Sequence, residues 1–292
     1  MNKNLIPAGH RPRKRFGQHF LVRPSVLRAI AEQAGLTPET VVLEIGAGTG
    51  NLTRELSRRA AKVFALEFDR DLAAALREEF ASGNVEVIEA DALEFDFAAL
   101  EPGPGGLKIV GNLPYNISVP LIFRLLETPG PARELLLMVQ KEVAERIIAG
   151  PGGKAYGILA VLCQMLADVK IVLRVPASAF SPRPQVESAG VRFQLLEAPR
   201  HPLPDWEFFK RVVKAAFGQR RKIIANALSG SPDLALPPET VAQALSQAGI
   251  KPTRRAQTLT LAEFADLATK LNPEGPGHKS LAAQPLAPKA DS

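Results

Sequence analysis

Residues 41–53 read VVLEIGAGTGNLT, and this stretch decides the fold. A short apolar run is followed by three glycines at alternate positions and then by a helical pattern. This order predicts a strand, a tight loop and a helix. Gly46, Gly48 and Gly50 have no β-carbon, so the backbone can turn sharply and approach a ligand closely. The stretch therefore predicts the first βα unit of a nucleotide-binding α/β domain.

The spacing of the glycines narrows the choice of ligand. A dinucleotide fingerprint, G-x-G-x-x-G, would need a third glycine at position 51, where this chain has Asn51. The start of the helix is therefore less suited to holding a pyrophosphate. The E-x-G-x-G-x-G pattern that begins at Glu44 instead resembles the loop of S-adenosylmethionine (SAM)-dependent methyltransferases, whose cofactor has no phosphate.

Further along the chain, strand-like runs separated by helical patterns continue: KVFALEFD, NVEVIEAD, LKIVGN, ELLLMVQ, VKIVLRVP and AGVRFQLL. Strands spaced by helices indicate parallel βαβ units in a sheet that is covered on both faces. No clear helix separates the last two strands, which favours an antiparallel edge. We predict an α/β, Rossmann-like methyltransferase domain with a mostly parallel seven-stranded sheet.

The C-terminal third has a different pattern. A proline-rich stretch, EAPRHPLPDW, is followed only by helical patterns up to Asn272. We therefore predict a catalytic SAM-binding domain over residues 1–198 and a small all-α RNA- or ribosome-binding domain over 199–272. Residues 273–292 are rich in Pro, Gly and Ala without periodicity, and they predict a disordered tail.

Composition is that of a soluble globular protein, with 46% hydrophobic and 23% charged residues. No apolar run reaches the roughly 18–20 residues that a membrane span needs, and the basic N-terminus lacks the apolar core of a secretory signal. We expect a cytoplasmic protein without membrane attachment. Cys163 lies in an apolar helical run and the four histidines are scattered, so we expect no metal site.

The net charge is +6, and the basic excess is clustered in three runs. These are residues 11–15 (RPRKR), residues 220–222 (RRK) and Arg254–Arg255. A single run is usually a solvated surface, but three runs in a basic protein favour a polyanionic partner.

Two acidic residues lie at the ends of successive predicted strands. Glu67 follows Gly46 by 21 residues, where a carboxylate can accept hydrogen bonds from both hydroxyls of a ribose, as in NAD and SAM alike. Asp91 ends the next strand and can accept from the amino group of the cofactor's adenine. Either residue alone could be a helix cap, but with the glycine loop they predict a nucleoside pocket.

The fourth strand ends in Asn112, Leu113, Pro114 and Tyr115. The N6 amine of adenine is a poor nucleophile, because its lone pair is delocalised into the ring. An amide oxygen and a backbone carbonyl stiffened by Pro114 can accept its two N–H bonds, and the Tyr115 ring can stack on the base. These residues could also form a simple turn, but beside the pocket they predict methylation of an adenine.

A later segment, SAFSPRPQVESAGVRF, is suited to holding a base that has been extruded from a duplex. Two prolines stiffen a loop that carries Phe180 and the basic Arg183. Phe180 could form the second wall of a stacking site, although a single Phe is more often part of the core.

The runs RFGQHFL, LEIGAGTGNLT, GNLPYNIS, FSPRPQVESA and FGQRRKIIANAL together resemble the KsgA/RsmA adenine dimethyltransferases of small-subunit ribosomal RNA. The resemblance implies N6,N6-dimethylation of two adjacent adenosines near the 3′ end of 16S rRNA, in the assembling small subunit, by a monomer. It implies that SAM contacts His19, Leu21, Gly46, Glu67, Asp91 and Asn112. It also implies that Tyr115 and Phe180 hold the target base. Many members carry Asn where His19 stands. The RNA-binding candidates are Arg183, Arg220, Arg221 and Lys222.

Three alternatives remain at this point. The glycine loop and the Asn-Leu-Pro-Tyr tip are shared with the Erm methylases of 23S rRNA. A mainly non-catalytic ribosome assembly factor could keep the same fold as a scaffold. An NAD-dependent dehydrogenase would need a general acid or base, and no candidate lies at the expected strand ends.

Overall fold

A computed structural model describes residues 19–219 and 221–272, which form two compact units. The first unit comprises residues 19–144 and 168–195. The second comprises residues 145–167 and the described part of 196–272. The basic run 11–15, Arg220 and the predicted tail 273–292 lie outside the described residues.

A seven-stranded sheet forms the centre of the first unit. The strands of the chain are β1 (Phe20–Leu21), β2 (Val41–Ile45), β3 (Lys62–Glu67), β4 (Val85–Glu89), β5 (Leu107–Asn112), β6 (Ala132–Gln140), β7 (Ala167–Val175), β8 (Phe180–Ser181) and β9 (Ser188–Leu195). The order in the sheet is β4-β3-β2-β5-β6-β9-β7, and β1 pairs with β8 in a separate antiparallel ribbon. Strands β2 to β6 pair in parallel, whereas β9 is antiparallel to β6.

This topology confirms the mostly parallel seven-stranded sheet. It also agrees with the predicted antiparallel edge, because the last two predicted strands, β9 and β7, lie side by side at one edge and β9 is antiparallel to β6. The edge is shielded by charge: Lys170 and Arg174 of β7 are exposed, as is common where a sheet must not pair with another chain.

The helices of the described residues are α1 (Pro24–Gln33), α2 (Asn51–Ser57), α3 (Arg70–Glu79), α4 (Ser118–Glu127), α5 (Lys141–Ile147), α6 (Ile158–Leu166), α7 (Trp206–Gly218), α8 (Ile224–Ser229), α9 (Pro238–Gln247) and α10 (Leu261–Leu271). Helices α1 to α4 belong to the first unit, which contains the sheet. Every residue of β2 is buried, so the strand is covered on both faces, as parallel strands usually are. Val42 packs in one apolar cluster with Ile30 of α1 and Leu56 of α2.

The second unit is all-helical, as predicted, but it includes residues 145–167, which the prediction had assigned to the first domain. The physical reason is α6, where six of nine residues are buried, so the helix needs cover on nearly all sides. Helices α7 and α10 contact it, and the Tyr156 ring just before α6 packs edge-to-face on Phe217, with 6.0 Å between ring centroids. Cys163 lies inside α6 as a buried free thiol, and burial raises its pKa.

Candidate active site

A cavity of about 340 Å³ lies at the edge of the sheet where the parallel strands β2 to β5 end. After β2 the chain forms β3 and β4 on one side and then returns to form β5 on the other side, so β2 and β5 flank a topological switch point. Ligands of open α/β sheets bind at such points. The cavity is lined by these predicted site residues: His19, Gly46, Glu67, Asp91, Asn112, Leu113, Pro114 and Tyr115.

The glycine loop, residues 46–50, packs closely against Asn112 and Phe20. Gly46 and Gly48 have φ angles of +75° and +58°, a region that favours glycine. A β-carbon on Gly46 would lie 3.4 Å from the backbone oxygen of Asn112, and one on Gly48 would lie 3.0 Å from the ring of Phe20. At Gly48 a β-carbon would therefore be unusually close to Phe20, whereas at Gly46 the positive φ is the main reason for glycine.

Glu67 connects the glycine loop to the second strand of the site. Its carboxylate is buried, and its two oxygens accept hydrogen bonds from the backbone N–H of Gly48 (2.7 Å) and of Asp69 (2.8 Å). Burial raises the pKa of this carboxyl group, and the two backbone hydrogen bonds oppose the rise. Each oxygen has a second lone pair, so the group can also accept from a ligand hydroxyl.

Asp91 and Phe68 both line the cavity, just after the paired strands β4 and β3. One oxygen of Asp91 accepts from the backbone N–H of Leu93 at 2.8 Å, which fixes the turn after β4. Phe68 was missed by the sequence analysis, although it directly follows Glu67. Its ring is 56% exposed and lines the cavity, where it offers an apolar surface to a flat ligand.

At the tip of β5, Asn112 and Tyr115 are held by different partners. The Asn112 amide donates through Nδ2 to the backbone oxygen of His19 at 2.9 Å. The Tyr115 hydroxyl lies 2.8 Å from the hydroxyl of buried Ser188, and its ring centroid lies 5.4 Å from that of His19. Burial raises the pKa of the Tyr115 phenol. His19 in turn uses Nδ1 to donate to the backbone oxygen of Pro182 at 2.8 Å.

The structure does not bring Leu21 and Phe180 to the cavity. They are cross-strand partners in the β1–β8 ribbon, and both side chains are buried in the apolar cluster with α1 and α2. Alternate residues of a strand face opposite sides, so Phe20 lines the cavity instead of Leu21. The expected second stacking wall at Phe180 is corrected accordingly: in this structure the ring is a core residue.

The charged side chains that line the cavity indicate which charge a ligand can carry. Glu67, Asp69 and Asp91 line it, and none of the described residues that line it is a Lys or Arg. A pyrophosphate is usually held by cationic or helix N-terminal partners, so three lining carboxylates disfavour the dinucleotide alternative. A cationic nucleoside without phosphate does fit. Among the described residues, no group of three or more His, Cys, Asp or Glu could hold a metal ion.

None of the described basic residues predicted to bind RNA is part of the cavity lining. Arg183 is exposed in the loop between β8 and β9, and Arg221 and Lys222 are exposed in the turn between α7 and α8. Arg254 has a structural function, because its guanidinium pairs with Glu263 and donates to the backbone oxygen of Thr258. This pairing lowers the pKa of Glu263.

Glu44, the acidic residue of the glycine-loop motif, is buried beneath the loop. Burial raises its pKa to about 8, a nearby Thr53 hydroxyl and the charge of Arg54 oppose the rise, and the charge of Glu67 adds to it. In the unfolded chain its carboxyl ionises near pH 4.5. Between these values the folded state binds more protons, so stability falls as pH rises.

We therefore expect Glu44→Gln to remove part of this pH dependence. Relative to the unchanged protein, the variant should gain thermal stability steadily from pH 5 to pH 8, because an amide does not ionise. Thermal unfolding at pH 5, 6.5 and 8 measures the effect, with the exposed Glu86→Gln as the control. An equal difference in Tm at all three pH values would contradict it.

The strand order, the glycine loop and the Asn112–Tyr115 tip define a Rossmann-like class I methyltransferase. A model of the family described as ribosomal RNA adenine dimethylase matches residues 9–272. The chain therefore belongs to the ribosomal RNA adenine dimethylase family.

Relatives and solved structures agree with this family. The chain is 47% identical over 266 residues to ribosomal RNA small subunit methyltransferase A of Syntrophotalea carbinolica, covering 90% of this chain and 98% of the relative. It is 43% identical to the Vibrio cholerae protein of the same name, and the match covers 92% of this chain and 97% of that relative. A dimethyladenosine transferase from Plasmodium falciparum superposes with a TM-score of 0.74 at 26% identity, covering 85% of this chain and 96% of that one. The 23S rRNA methyltransferase ErmE superposes with a TM-score of 0.64 at 30% sequence identity, covering 86% of this chain and 99% of ErmE.

Among the described residues, no helix has both the length and the apolar character needed to cross a bilayer.

Proposed function

We propose that this protein transfers methyl groups from SAM to the N6 amines of two adjacent adenosines near the 3′ end of 16S rRNA, in a cytoplasmic small ribosomal subunit under assembly. The observation that carries the proposal is the orientation of Asn112. His19 O can only accept, so the Asn112 NH₂ group must face it. The amide oxygen is then left as an acceptor at a cavity that Tyr115 also lines.

SAM would supply a methyl group on a sulfonium, a strong donor that needs no side-chain nucleophile. Its cationic charge suits a cavity lined by three carboxylates. Glu67 would accept from the ribose hydroxyls, Asp91 would accept from the adenine amino group, and Phe68 would pack against the adenine ring. His19 and Phe20 would enclose the other end.

The target adenine would be held at the tip of β5. The Asn112 side-chain oxygen and the Leu113 carbonyl would accept its two N–H bonds, which localises the nitrogen lone pair and aligns it with the methyl carbon. This tip is rigid, because the Leu113 N–H donates to Met138 O at 3.1 Å and Pro114 O accepts from Ile117 N at 3.2 Å. Alignment of well-oriented reactants can contribute about 7–11 kcal/mol.

Labelled SAM and small subunits that lack the modification test the proposal. We expect dimethyladenosine in 16S rRNA. Methylation of 23S rRNA alone would instead indicate an Erm-type enzyme, and SAM-independent binding to the subunit without methylation would indicate an assembly factor. The relatives at 47% and 43% identity bear the small-subunit name, whereas ErmE is 30% identical, which favours the small subunit.

The charge of the two units favours the second as the main RNA contact. Residues 1–144 and 168–195 carry 21 Lys and Arg against 20 Asp and Glu, a net charge of +1. Residues 145–167 and 196–292 carry 15 Lys and Arg against 10 Asp and Glu, a net charge of +5. Phosphate contacts dominate the affinity of proteins for nucleic acids, so we propose that the second unit supplies most of the affinity.

The double variant Arg221→Ala/Lys222→Ala should therefore bind small-subunit RNA more weakly and with less dependence on salt. Each lost phosphate contact should reduce the slope of log K against log salt by about one. Filter binding from 50 to 300 mM KCl measures it, with Arg58→Ala in the first unit as the control. A slope that stays the same in the double variant would contradict the assignment.

A further inference from the structure

Residues 19–21 contact the three parts of the first unit that the proposed function requires. The backbone oxygen of His19 accepts from Asn112, and the ring of Phe20 packs on Gly48 of the glycine loop. β1, which begins at Phe20, pairs with β8 beside the predicted target-binding loop. We call residues 19–21 the strap.

The strap is fastened to the start of α2 by Asn51. The Asn51 Nδ2 donates to the backbone oxygen of Leu21 at 2.8 Å, and its Oδ1 accepts from the Arg54 guanidinium at 2.9 Å. A carbonyl can only accept and a guanidinium can only donate, so these two partners allow one orientation of the amide. Arg54 is itself fixed by an ion pair with Glu79.

A continuous path thus runs from Arg54 through Asn51 and the strap backbone to Asn112. We propose that Asn51 is a positioning residue for methyl transfer: it holds Leu21, so that His19 O turns the Asn112 oxygen towards the target amine. This inference rests on the proposed function. Asn51 itself is absent from the cavity lining, so it acts through the strap.

The second methyl transfer should depend on this path more than the first. Each transfer breaks the sulfur–methyl bond, forms an N6–carbon bond and releases one proton from N6 to water. After the first transfer, N6 has only one N–H to donate, so only one carbonyl can hold it. A displaced Asn112 should therefore leave monomethyladenosine as a product.

Asn51→Asp is the main test, because it places an oxygen against Leu21 O while keeping the acceptor for Arg54. Asn51→Ala removes the bond without adding repulsion. The matched control is Asn84→Asp: Asn84 Nδ2 donates to Ser57 O (2.9 Å) and Ala60 O (2.8 Å), at the opposite end of α2 and outside the cavity lining. Each variant is assayed with saturating SAM on undermethylated small subunits, and its Kd for SAM is measured by calorimetry.

We expect Asn51→Asp to lower kcat about tenfold, since a misplacement of about 1 Å can cost up to 10²-fold, with a smaller loss for Asn51→Ala. The Kd for SAM should rise by a smaller factor than kcat falls, even though His19 and Phe20 of the strap line the cavity, and monomethyladenosine should accumulate. Asn84→Asp should keep kcat and the product ratio.

Three outcomes would overturn the inference: an unchanged kcat for Asn51→Ala, a loss confined to the Kd for SAM, or an equal loss of kcat in Asn84→Asp. Asn51→Ala decides the matter if Asn51→Asp does not fold. An unchanged protein that forms no dimethyladenosine would overturn the proposed function instead, so the two failures are distinguishable.

Discussion

Asn112→Ala is expected to lower kcat for adenosine methylation by about 10²–10³-fold, the range found when one preorganised polar group is removed from an active site. The variant removes the side-chain oxygen that would accept from the target amine, while Glu67, Asp91 and the glycine loop stay in place. The Kd for SAM should therefore change far less than kcat. Single-turnover methylation of small subunits and calorimetry with SAM measure the two quantities.

The control for this variant is Asn84→Ala, which removes another amide bonded to backbone oxygens of the first unit. It should leave kcat unchanged, because Asn84 does not line the cavity. A turnover defect in Asn112→Ala that disappeared at high SAM concentration would mean that Asn112 binds the cofactor only, and the proposed chemistry at the β5 tip would be lost.

Glu67→Ala is expected to weaken SAM binding by about 10- to 100-fold, because hydrogen bonds to a charged group contribute roughly 1.5–3 kcal/mol. Two effects combine in this variant. The ribose hydroxyls lose their acceptor, and the backbone N–H groups of Gly48 and Asp69 lose theirs. Glu67→Gln should not restore binding, because an amide has only one acceptor oxygen for these two N–H groups.

Glu89→Ala provides a matched control for Glu67. Glu89 is the register partner of Glu67 on β4, but its carboxylate is exposed and pairs with Arg77 at 3.1 Å. Exposed pairs of this kind contribute little, so the Kd for SAM should be unchanged. Equal Kd values for the Glu67→Ala variant and the unchanged protein would show that the cofactor lies elsewhere.

The parallel sheet and most of the site could be predicted from sequence, because both depend on local order. Each of the first four predicted strands ends in a polar or glycine-rich tip, and parallel strands place such tips at one edge. Glu67, Asp91 and Asn112 are far apart in the chain, but they lie at the carboxyl ends of β3, β4 and β5, which are parallel strands of one sheet. Their meeting around one cavity therefore needed only the correct topology.

The positions that could not be predicted depend on tertiary packing. A two-residue strand such as β1 shows no periodicity, so the sequence could not tell whether Phe20 or Leu21 faces the ligand. Phe180 follows its register partner into the core. Arg254 looked like a basic surface residue, and only its distant partner Glu263 reveals a structural function.

Helix α6 has a consequence for how the chain folds during synthesis. It is made before β7 and β9 of the sheet, yet its covering helices α7 and α10 come later, the last ending at Leu271. Chains emerge from the ribosome N-terminus first. The apolar side chains of α6 therefore stay uncovered until nearly the whole polypeptide has been made. A nascent chain stalled near residue 198 would therefore expose the apolar side chains of α6 to chaperones and proteases, even if its nucleoside cavity had already formed.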